Sequence, residues 1–263
     1  MQALQAGMHP DAFFDRLARA PKRVLLLDYD GTLAPFHRRP ERALPYPEVA
    51  TLLKRAIERC ATRVVIVSGR RLADLRGPLA RLPHDEAWAS HGWERFTAAG
   101  QRSGYTPSTV AQRQLEAAEA GVRELAMRGA RIERKVASVA VHWRGLSPDA
   151  VEQVRLGVDR AWSDLDRGPL EVLDFEAGVE LRARGRNKGD AVREILEDCG
   201  PHDACAYLGD DHTDEDAFDV LRGRGLGVLV RGEWRETGAD VWIRPPGELV
   251  AFLERWCACA AVA

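Results

Sequence analysis

No run in the 263-residue chain is long and apolar enough to cross a bilayer, and Met1 to Pro10 has neither the basic start nor the apolar stretch of a secretory signal. A cytoplasmic protein with no membrane partner is the expectation. An excess of either charge is also lacking. The 38 Lys and Arg stand against 40 Asp and Glu in mixed order, a formal charge of -2, so no nucleic acid is expected as a partner. Cysteine is sparse and odd in number. The five cysteines include no Cys-x-x-Cys pair and no histidine at zinc-finger spacing, which argues against a zinc module and predicts free thiols in a reducing compartment. Cys257 and Cys259 fall in an Ala-rich end read as a frayed tail. Internal repeats and low-complexity segments do not stand out either. The length suffices for one large or two smaller domains.

What is present centres on Asp28-Tyr29-Asp30-Gly31-Thr32-Leu33, directly after the apolar run Val24-Leu25-Leu26-Leu27. The run has strand length and composition, and the glycine ends it. Two carboxylates then sit at the carboxyl end of a buried strand, where ligands bind in open α/β sheets. On its own an Asp-x-Asp-Gly is more often a solvated turn. Crowded acids repel one another unless a shared proton or a cation relieves them, and a hard cation such as Mg²⁺ suits carboxylate oxygens.

The pattern around this stretch is doubly wound. A short helix over Asp11–Ala20 precedes the strand, and a helix over Pro47–Cys60 and a strand over Thr62–Val67 follow it. Strand, helix and strand in that order imply parallel pairing. The second strand runs into Ser68-Gly69-Arg70 and a helix from Arg71 to Leu79, a place to bind an anion, although a plain N-cap serine reads the same way. A strand over Glu86–Ala89 ends at Ser90-His91-Gly92, and a hairpin is expected to turn on Ala98-Ala99-Gly100.

Beyond Pro107 the order becomes helix (Thr109–Arg128), strands (near 131–135 and 138–144), helix (Pro148–Leu165) and strands (Leu170–Phe175, Val179–Arg182). That is an α+β pattern, so residues 106–184 are expected to form a separate domain inserted into an α/β core of residues 1–105 and 185–263. The doubly wound, mostly parallel pattern then resumes. A helix is expected over Lys188–Cys199, a strand over Cys205–Leu208 with the acidic end Gly209-Asp210-Asp211-His212-Thr213-Asp214-Glu215-Asp216, then a helix over Asp216–Leu221, strands over Gly227–Val230 and Val241–Ile243, and a last helix over Gly247–Cys257.

A doubly wound sheet would set the two acidic strand ends side by side. Asp28, Asp30, Asp210, Asp211 and Asp214 are more carboxylate than one site could hold without a metal. Ser68 and Lys188 supply the opposite need, donors for phosphate oxygens. Together these residue types amount to a phosphoryl-transfer site. His37, His84, His202 and His212 have no spacing of a ligand set. The seven tryptophans read as packing residues, with Trp143 the possible exception.

The order Asp-x-Asp-Gly-Thr, Ser-Gly-Arg, Lys, Gly-Asp-Asp-x-Thr-Asp-Glu-Asp resembles the four motifs of haloacid-dehalogenase-type phosphatases, over nearly the whole chain from Leu26 to Phe218. Within that superfamily the last motif, together with Ser-His-Gly-x-Glu at Ser90 to Glu94, Glu133-x-Lys135, His142-Trp143-Arg144 and Glu180, resembles the trehalose-6-phosphate phosphatases. The resemblance implies a Mg²⁺-dependent enzyme that releases trehalose and phosphate from trehalose 6-phosphate. It implies that Asp28 attacks phosphorus and that Asp30 protonates the leaving oxygen and then activates water. By the same resemblance, Mg²⁺ would lie on the Asp28 side chain, the Asp30 carbonyl and Asp210, with Asp211 and Asp214 orienting it, and Ser68 and Lys188 would bind the phosphoryl oxygens. Substrate would also meet Arg70, His91, Glu133, Lys135, His142, Arg144 and Glu180, the inserted domain acting as a cap over the sugar. Glu133 and Lys135, two apart on a strand, share a face.

One departure stands out. The family has a Pro soon after the Arg that follows Glu180, whereas here the run is Arg182-Ala183-Arg184-Gly185-Arg186-Asn187-Lys188. Two other readings remain open: a phosphatase for another sugar phosphate, such as a sucrose or mannosylglycerate type, and a catalytically silent subunit. The silent subunit would be expected to lose a nucleophile or metal ligand, and this chain keeps Asp28, Asp30, Lys188 and Asp210. A monomer is the expected state.

Overall fold

The structure, a computed structural model, describes every residue except 6–8, 38, 98, 176 and 261–263. In chain order the first elements are β1 (Gln2–Ala3), α1 (Pro10–Arg19), β2 (Arg23–Leu27), α2 (Val49–Cys60), β3 (Thr62–Val67), α3 (Leu72–Leu79), β4 (Glu86–Ala89), β5 (Glu94–Thr97) and β6 (Arg102–Gly104). Next come α4 (Thr109–Val122), β7 (Arg131–Arg134), β8 (Ser138–His142), α5 (Pro148–Trp162), β9 (Leu170–Phe175) and β10 (Gly178–Ala183). The chain closes with α6 (Lys188–Ile195), β11 (Ala204–Gly209), α7 (Glu215–Leu221), β12 (Leu226–Val230), β13 (Val241–Ile243) and α8 (Gly247–Cys259). Two compact units result, Met1–Ser103 with Asn187–Ala263, and Gly104–Arg186.

In the first unit the described strands form one sheet in the order β1-β13-β12-β11-β2-β3-β4-β5-β6. From β13 to β4 the pairing is parallel, and the antiparallel partners lie at the two edges. The doubly wound α/β reading therefore holds. Strand alternation builds its two layers. Leu25, Leu27, Val64 and Ile66 pack with α1, α2, α3 and α8, while Val24, Leu26, Val65 and Val67 pack with α6 and α7. Both faces are covered, which is why β2 and β3 read as unbroken apolar runs rather than alternating ones.

Some expectations need correction. The segment holding Cys257 and Cys259 is not frayed: α8 runs to Cys259, Cys257 and Ala260 are buried, and the Cys257 thiol donates to the Leu52 carbonyl at 3.5 Å. The apolar face of α8 lies on α1 and α2, and that packing sets its length rather than its Ala-rich composition. The helix opened by Lys188 ends at Ile195; beyond it the Glu197 and Cys199 amides donate three residues back, to the Glu194 and Leu196 carbonyls at 3.3 and 3.0 Å, so the backbone tightens into turns before β11. β1 carried no sequence signal at its length of two residues. Trp234 is 56% exposed, not a packing residue. The expected hairpin joins β5 to β6, with Gly100 at φ +84°; Ala98 of its turn lies outside the described residues.

The second unit is an antiparallel sheet, β7-β8-β10-β9, with α4 against one face. Val139, Val141 and Leu181 are buried with Leu115, Ala118 and Val122 of α4. The Trp162 indole of α5 donates to the Ala118 carbonyl at 3.2 Å. The α-helix expected to Arg128 stops at Val122. Residues Arg123–Arg128 wind more tightly as 3-10 turns that close on Gly129 at φ +89°, where a left-handed residue ends the element.

Trp256 is wholly buried in the first unit, its indole donating to the Thr62 hydroxyl at 3.0 Å. Trp256→Ala is expected to lower unfolding stability by about 3–5 kcal/mol in a urea titration, whereas Trp234→Ala should change it by less than about 0.5 kcal/mol.

Candidate functional site

The sheet order brings three strand ends together. Leu27 of β2 pairs with Leu208 of β11 and with Ile66 of β3, so Asp28, Asp210 and Ser68 follow at neighbouring strand ends. The backbone reverses at once after Asp30. Gly31 sits at φ +82°, and a Cβ there would fall 2.1 Å from Asp210 Oδ2. Only glycine satisfies both that backbone and that close approach.

Lys188 opens α6, whose first turn is fixed by a capping box between Asn187 and Asp190. Its ammonium is buried and donates 2.7 Å bonds to Asp28 Oδ1 and to Asp214 Oδ1. Asp214 is the hub of the loop after β11. Its Oδ1 also accepts from the Tyr207 hydroxyl at 2.5 Å, and its Oδ2 accepts from the Asp210 and Asp211 amides at 3.0 and 2.9 Å. Gly209 allows this approach, since a Cβ on it would lie 2.4 Å from the Asp214 carboxyl carbon.

Burial pushes the Asp28 carboxyl up to about 7, against the pull of Lys188. Burial, followed by repulsion from Asp28, Asp214 and Asp211, holds Asp210 well above the carboxylate range. Burial works against ionised Asp214 too, but Lys188 and its hydrogen bonds outweigh it and lower this group. For Lys188 burial favours the neutral amine, and Asp214 and Asp28 reverse that and raise it. The lysine therefore stays charged between two acids, while burial and the crowding of acids favour the protonated forms of Asp28 and Asp210.

Asp28, Asp210 and Asp214 each bring a carboxylate oxygen within 4.8 Å of the others. The Asp214 oxygens are already taken by four donors. The Asp210 carboxylate pairs with the Arg231 guanidinium only at the long distance of 3.9 Å. Asp28 and Asp210 are therefore the pair with oxygens to offer a hard dication. The other two acids proposed for a metal are engaged elsewhere by their side chains. Asp30 is gripped by Arg70, Nε to Oδ2 at 2.6 Å and Nη2 to Oδ1 at 2.5 Å, and Asp211 accepts from the His212 amide at 2.7 Å and caps the following turn.

Ser68 is buried, its hydroxyl accepting from the Arg70 amide at 3.2 Å. The loop after β4 is unusual: Ser90 and His91 both lie in the left-handed region, at φ +50° and +56°. Such backbone persists only where neighbours fix it. The Ser90 amide donates to the Arg70 carbonyl at 2.6 Å and the His91 amide to the Ser68 carbonyl at 3.0 Å. Glu94 braces the loop from beyond, its Oε2 accepting from the Ser90 hydroxyl at 2.6 Å and from the Leu72 amide at 3.2 Å.

In the second unit, Glu133, Ala140 and Glu180 share one rung of the sheet, so both acids stand on one face with a small residue between them. Glu133 Oε2 lies 3.0 Å from His142 Nε2, and Glu180 Oε1 accepts from Lys135 at 2.9 Å and from the Ser138 hydroxyl at 2.6 Å. Burial raises the Glu133 carboxyl, but the hydrogen bond from His142 and the charge of Lys135 bring it well below the carboxylate range. The cluster is a polar, charged face of donors and acceptors. Arg144 lies beyond β8, exposed, and Trp143 is buried with the Arg155 guanidinium 5.4 Å from its ring centroid.

Sequence reasoning did not find several supports. Tyr207 read as one more apolar strand residue, and only its neighbour in space, Asp214, gives it a role. Arg235 donates to the Asp210 carbonyl at 3.2 Å and to the Asp211 carbonyl at 2.8 Å, and pairs with Glu215, which also accepts from Thr237 and the Gly238 amide. Glu215 stood in the acidic motif; its long-range partners carried no local signal.

Asp214→Ala would leave a buried ammonium, a phenol and two amides without their acceptor. It is expected to cost about 3–5 kcal/mol in chemical denaturation, against roughly none for the exposed Asp219→Ala.

The family model described as trehalose-phosphatase matches residues 26–236. A Mycobacterium tuberculosis protein described as an uncharacterized glycosyl hydrolase is 35% identical over 229 residues, which is 82% of this chain and 16% of that protein. The chain is also similar to a trehalose-phosphate phosphatase of Mycobacterium marinum, 31% identical over 264 residues, 96% of this chain and 65% of the relative. The chain thus spans only part of the length of these relatives. Its fold is that of the C-terminal domain of a Candida albicans trehalose-6-phosphate phosphatase, with a TM-score of 0.80 at 22% identity and 99% of each chain covered.

Proposed function

Because the chain belongs to the trehalose-phosphatase family, we propose that it hydrolyses trehalose 6-phosphate to trehalose and phosphate through an aspartyl-phosphate on Asp28. The observation that carries this reading is the buried Asp28 carboxylate, bonded to Lys188, with Asp210 beside it and Asp30 two residues on. Asp28 attacks phosphorus as the bond to the sugar oxygen breaks, and Asp30 gives that oxygen its proton. Asp30 then takes a proton from water as the water attacks phosphorus and frees Asp28. A carboxylate nucleophile splits one hard displacement into two easier ones, and a neighbouring carboxyl can serve both proton transfers.

Lys188 and Ser68 hold the phosphoryl oxygens, and Lys188 keeps Asp28 in position for attack. Mg²⁺ fits the site. The donors are hard oxygens, and burial works against the ionised forms of Asp28 and Asp210, a cost that a dication between them would offset. The Asp28 side chain, the Asp30 carbonyl and Asp210 would hold it, with Asp211 and Asp214 arranging the loop around them. When bound, the metal offsets charge on the transferring phosphoryl group.

Residues 106–184 serve as a cap domain. Its Glu133, Lys135, His142 and Glu180 present the donors and acceptors that a sugar's hydroxyls need, Arg144 and Trp143 lying just beyond them, and His91 and Arg70 complete the substrate contacts from residues 1–105. Sugar identity is thus read by one unit and phosphate by the other. The retained Asp28, Asp30, Lys188 and Asp210 support an active enzyme over a silent subunit.

The test is phosphate release from trehalose 6-phosphate, sucrose 6-phosphate, glucose 6-phosphate and an aryl phosphate, with Mg²⁺ or with EDTA. Turnover is expected with Mg²⁺ alone, strongest on trehalose 6-phosphate, and Asp28→Asn is expected to lose it by about a thousandfold or more. Preference for another sugar phosphate would sink the cap assignment, and inactivity on all of them would sink the reaction.

Metal binding should also release protons, because burial holds the Asp28 carboxyl near 7 and raises Asp210 well above the carboxylate range. A group with a raised value is protonated below it, so the dication competes with protons at low pH and not at high pH. Mg²⁺ affinity measured by calorimetry is expected to rise as pH increases through about 7, with proton uptake by the buffer; a flat affinity across about pH 6 to 8 would count against Asp28 and Asp210 as its ligands.

A further inference from the structure

Arg70 is more tightly engaged than a substrate-binding arginine needs to be. Its side chain is nine-tenths buried and 8% exposed, with the guanidinium 4.9 Å from the Tyr29 ring centroid. One edge of the guanidinium, Nε and Nη2, is spent on both oxygens of Asp30. The remaining nitrogen, Nη1, is buried and has no hydrogen-bond partner among the described residues. The backbone below it is fixed at both ends, the amide on Ser68 and the carbonyl on Ser90.

A buried N–H left unpaired costs about 1–3 kcal/mol, and such a group in a folded protein calls for an explanation. Here the group is cationic, it lies on the residue after Ser68-Gly69, and its partner is the carboxylate two residues from Asp28. An oxygen of an anionic group is what its free N–H suits. Meanwhile both Asp30 oxygens are occupied as acceptors, which holds that carboxyl away from any other work.

We propose that Arg70 is a clamp shared between Asp30 and the substrate: it holds Asp30 back in the resting protein, and a phosphoryl oxygen arriving at Nη1 draws the guanidinium over and releases Asp30. The proposal rests on the phosphatase reading and adds an order of events, phosphate first and proton transfer second. Arg70 contacts substrate directly and positions Asp30 through the fork.

The two residues then affect phosphate binding in opposite directions. Calorimetric titration of the full chain with inorganic phosphate, in buffer containing Mg²⁺, is expected to show Arg70→Gln weakened by about tenfold or more, the loss of one charge-assisted hydrogen bond. Asp30→Asn, which removes the competing carboxylate, is expected to bind phosphate more tightly than the parent. The double variant should lose that gain, and Arg70→Lys, which keeps the charge without the fork, should recover part of the affinity. Melting curves identify any variant that has simply unfolded, and the tightening in Asp30→Asn does not depend on Arg70 variants folding. If Asp30→Asn weakens binding, or Arg70→Gln binds as the parent does while the parent still hydrolyses phosphomonoesters, the clamp is wrong and the phosphatase reading survives. If the parent neither binds phosphate nor hydrolyses any phosphomonoester, both fall together.

Discussion

A single buried ammonium organises the first unit's site. Lys188 donates to Asp28 on one side and Asp214 on the other, and three buried acids lie within reach of one another around it. One lysine cannot balance three carboxylates. Burying unpaired charge is costly, so the remaining negative charge must take a proton or a cation. The cluster answers unevenly. Asp214, with four hydrogen bonds, is the group the protein keeps ionised, while Asp28 and Asp210 are left needing a partner. That unevenness separates the structural acid from the reactive ones, and it arises from where the donors point rather than from residue type.

The donors point there because of topology. A parallel sheet places its strand ends in one line, and β11, β2 and β3 are consecutive in that line although they lie far apart in sequence. The glycines at 31 and 209 let backbone and carboxylate close to distances a side chain would forbid. The loop after β4 adds the fourth wall, its two left-handed residues held by backbone bonds to Ser68 and Arg70 and by the Glu94 carboxylate. Packing of the two helical layers is therefore coupled to site geometry: a shift of β3 against β2 would move Ser68, Arg70 and the loop bonded to them together.

Much of this was legible in the sequence because strand signals are local. The runs over Thr62–Val67, Glu86–Ala89, Leu170–Phe175 and Val241–Ile243 appear with the bounds their β-branched and apolar residues suggest. Helix ends were less legible, since α6 and α4 both give way to tighter three-residue turns that the apolar spacing does not mark. The motif acids were visible, yet their division of labour was not. Nothing in Gly-Asp-Asp-x-Thr-Asp tells which carboxylate faces Lys188 and Tyr207, because both partners come from other elements. Arg235 was invisible for the same reason: its partners, the carbonyls of Asp210 and Asp211, belong to every residue alike.

The arginine-rich run before Lys188 shows how a departure from a family pattern can be absorbed. Losing a proline frees the chain there, and the structure supplies other restraints. Arg182 pairs with Glu171 across β10 and β9, Arg184 bonds the same carboxylate at 3.2 Å and the Leu170 carbonyl at 2.9 Å, and the Arg186 guanidinium lies 3.6 Å from the Tyr105 ring centroid. Tyr105 and Arg186 stand at the two points where the chain enters and leaves the second unit. Stacking a guanidinium on an aromatic ring contributes about 0.5–1 kcal/mol at an exposed site. Side-chain contacts thus tie together the two ends of the inserted segment, a restraint on where they lie that a proline in one of them would not supply. A restraint of this kind is adjustable, since it can break and re-form without altering the backbone, whereas a proline ring is fixed.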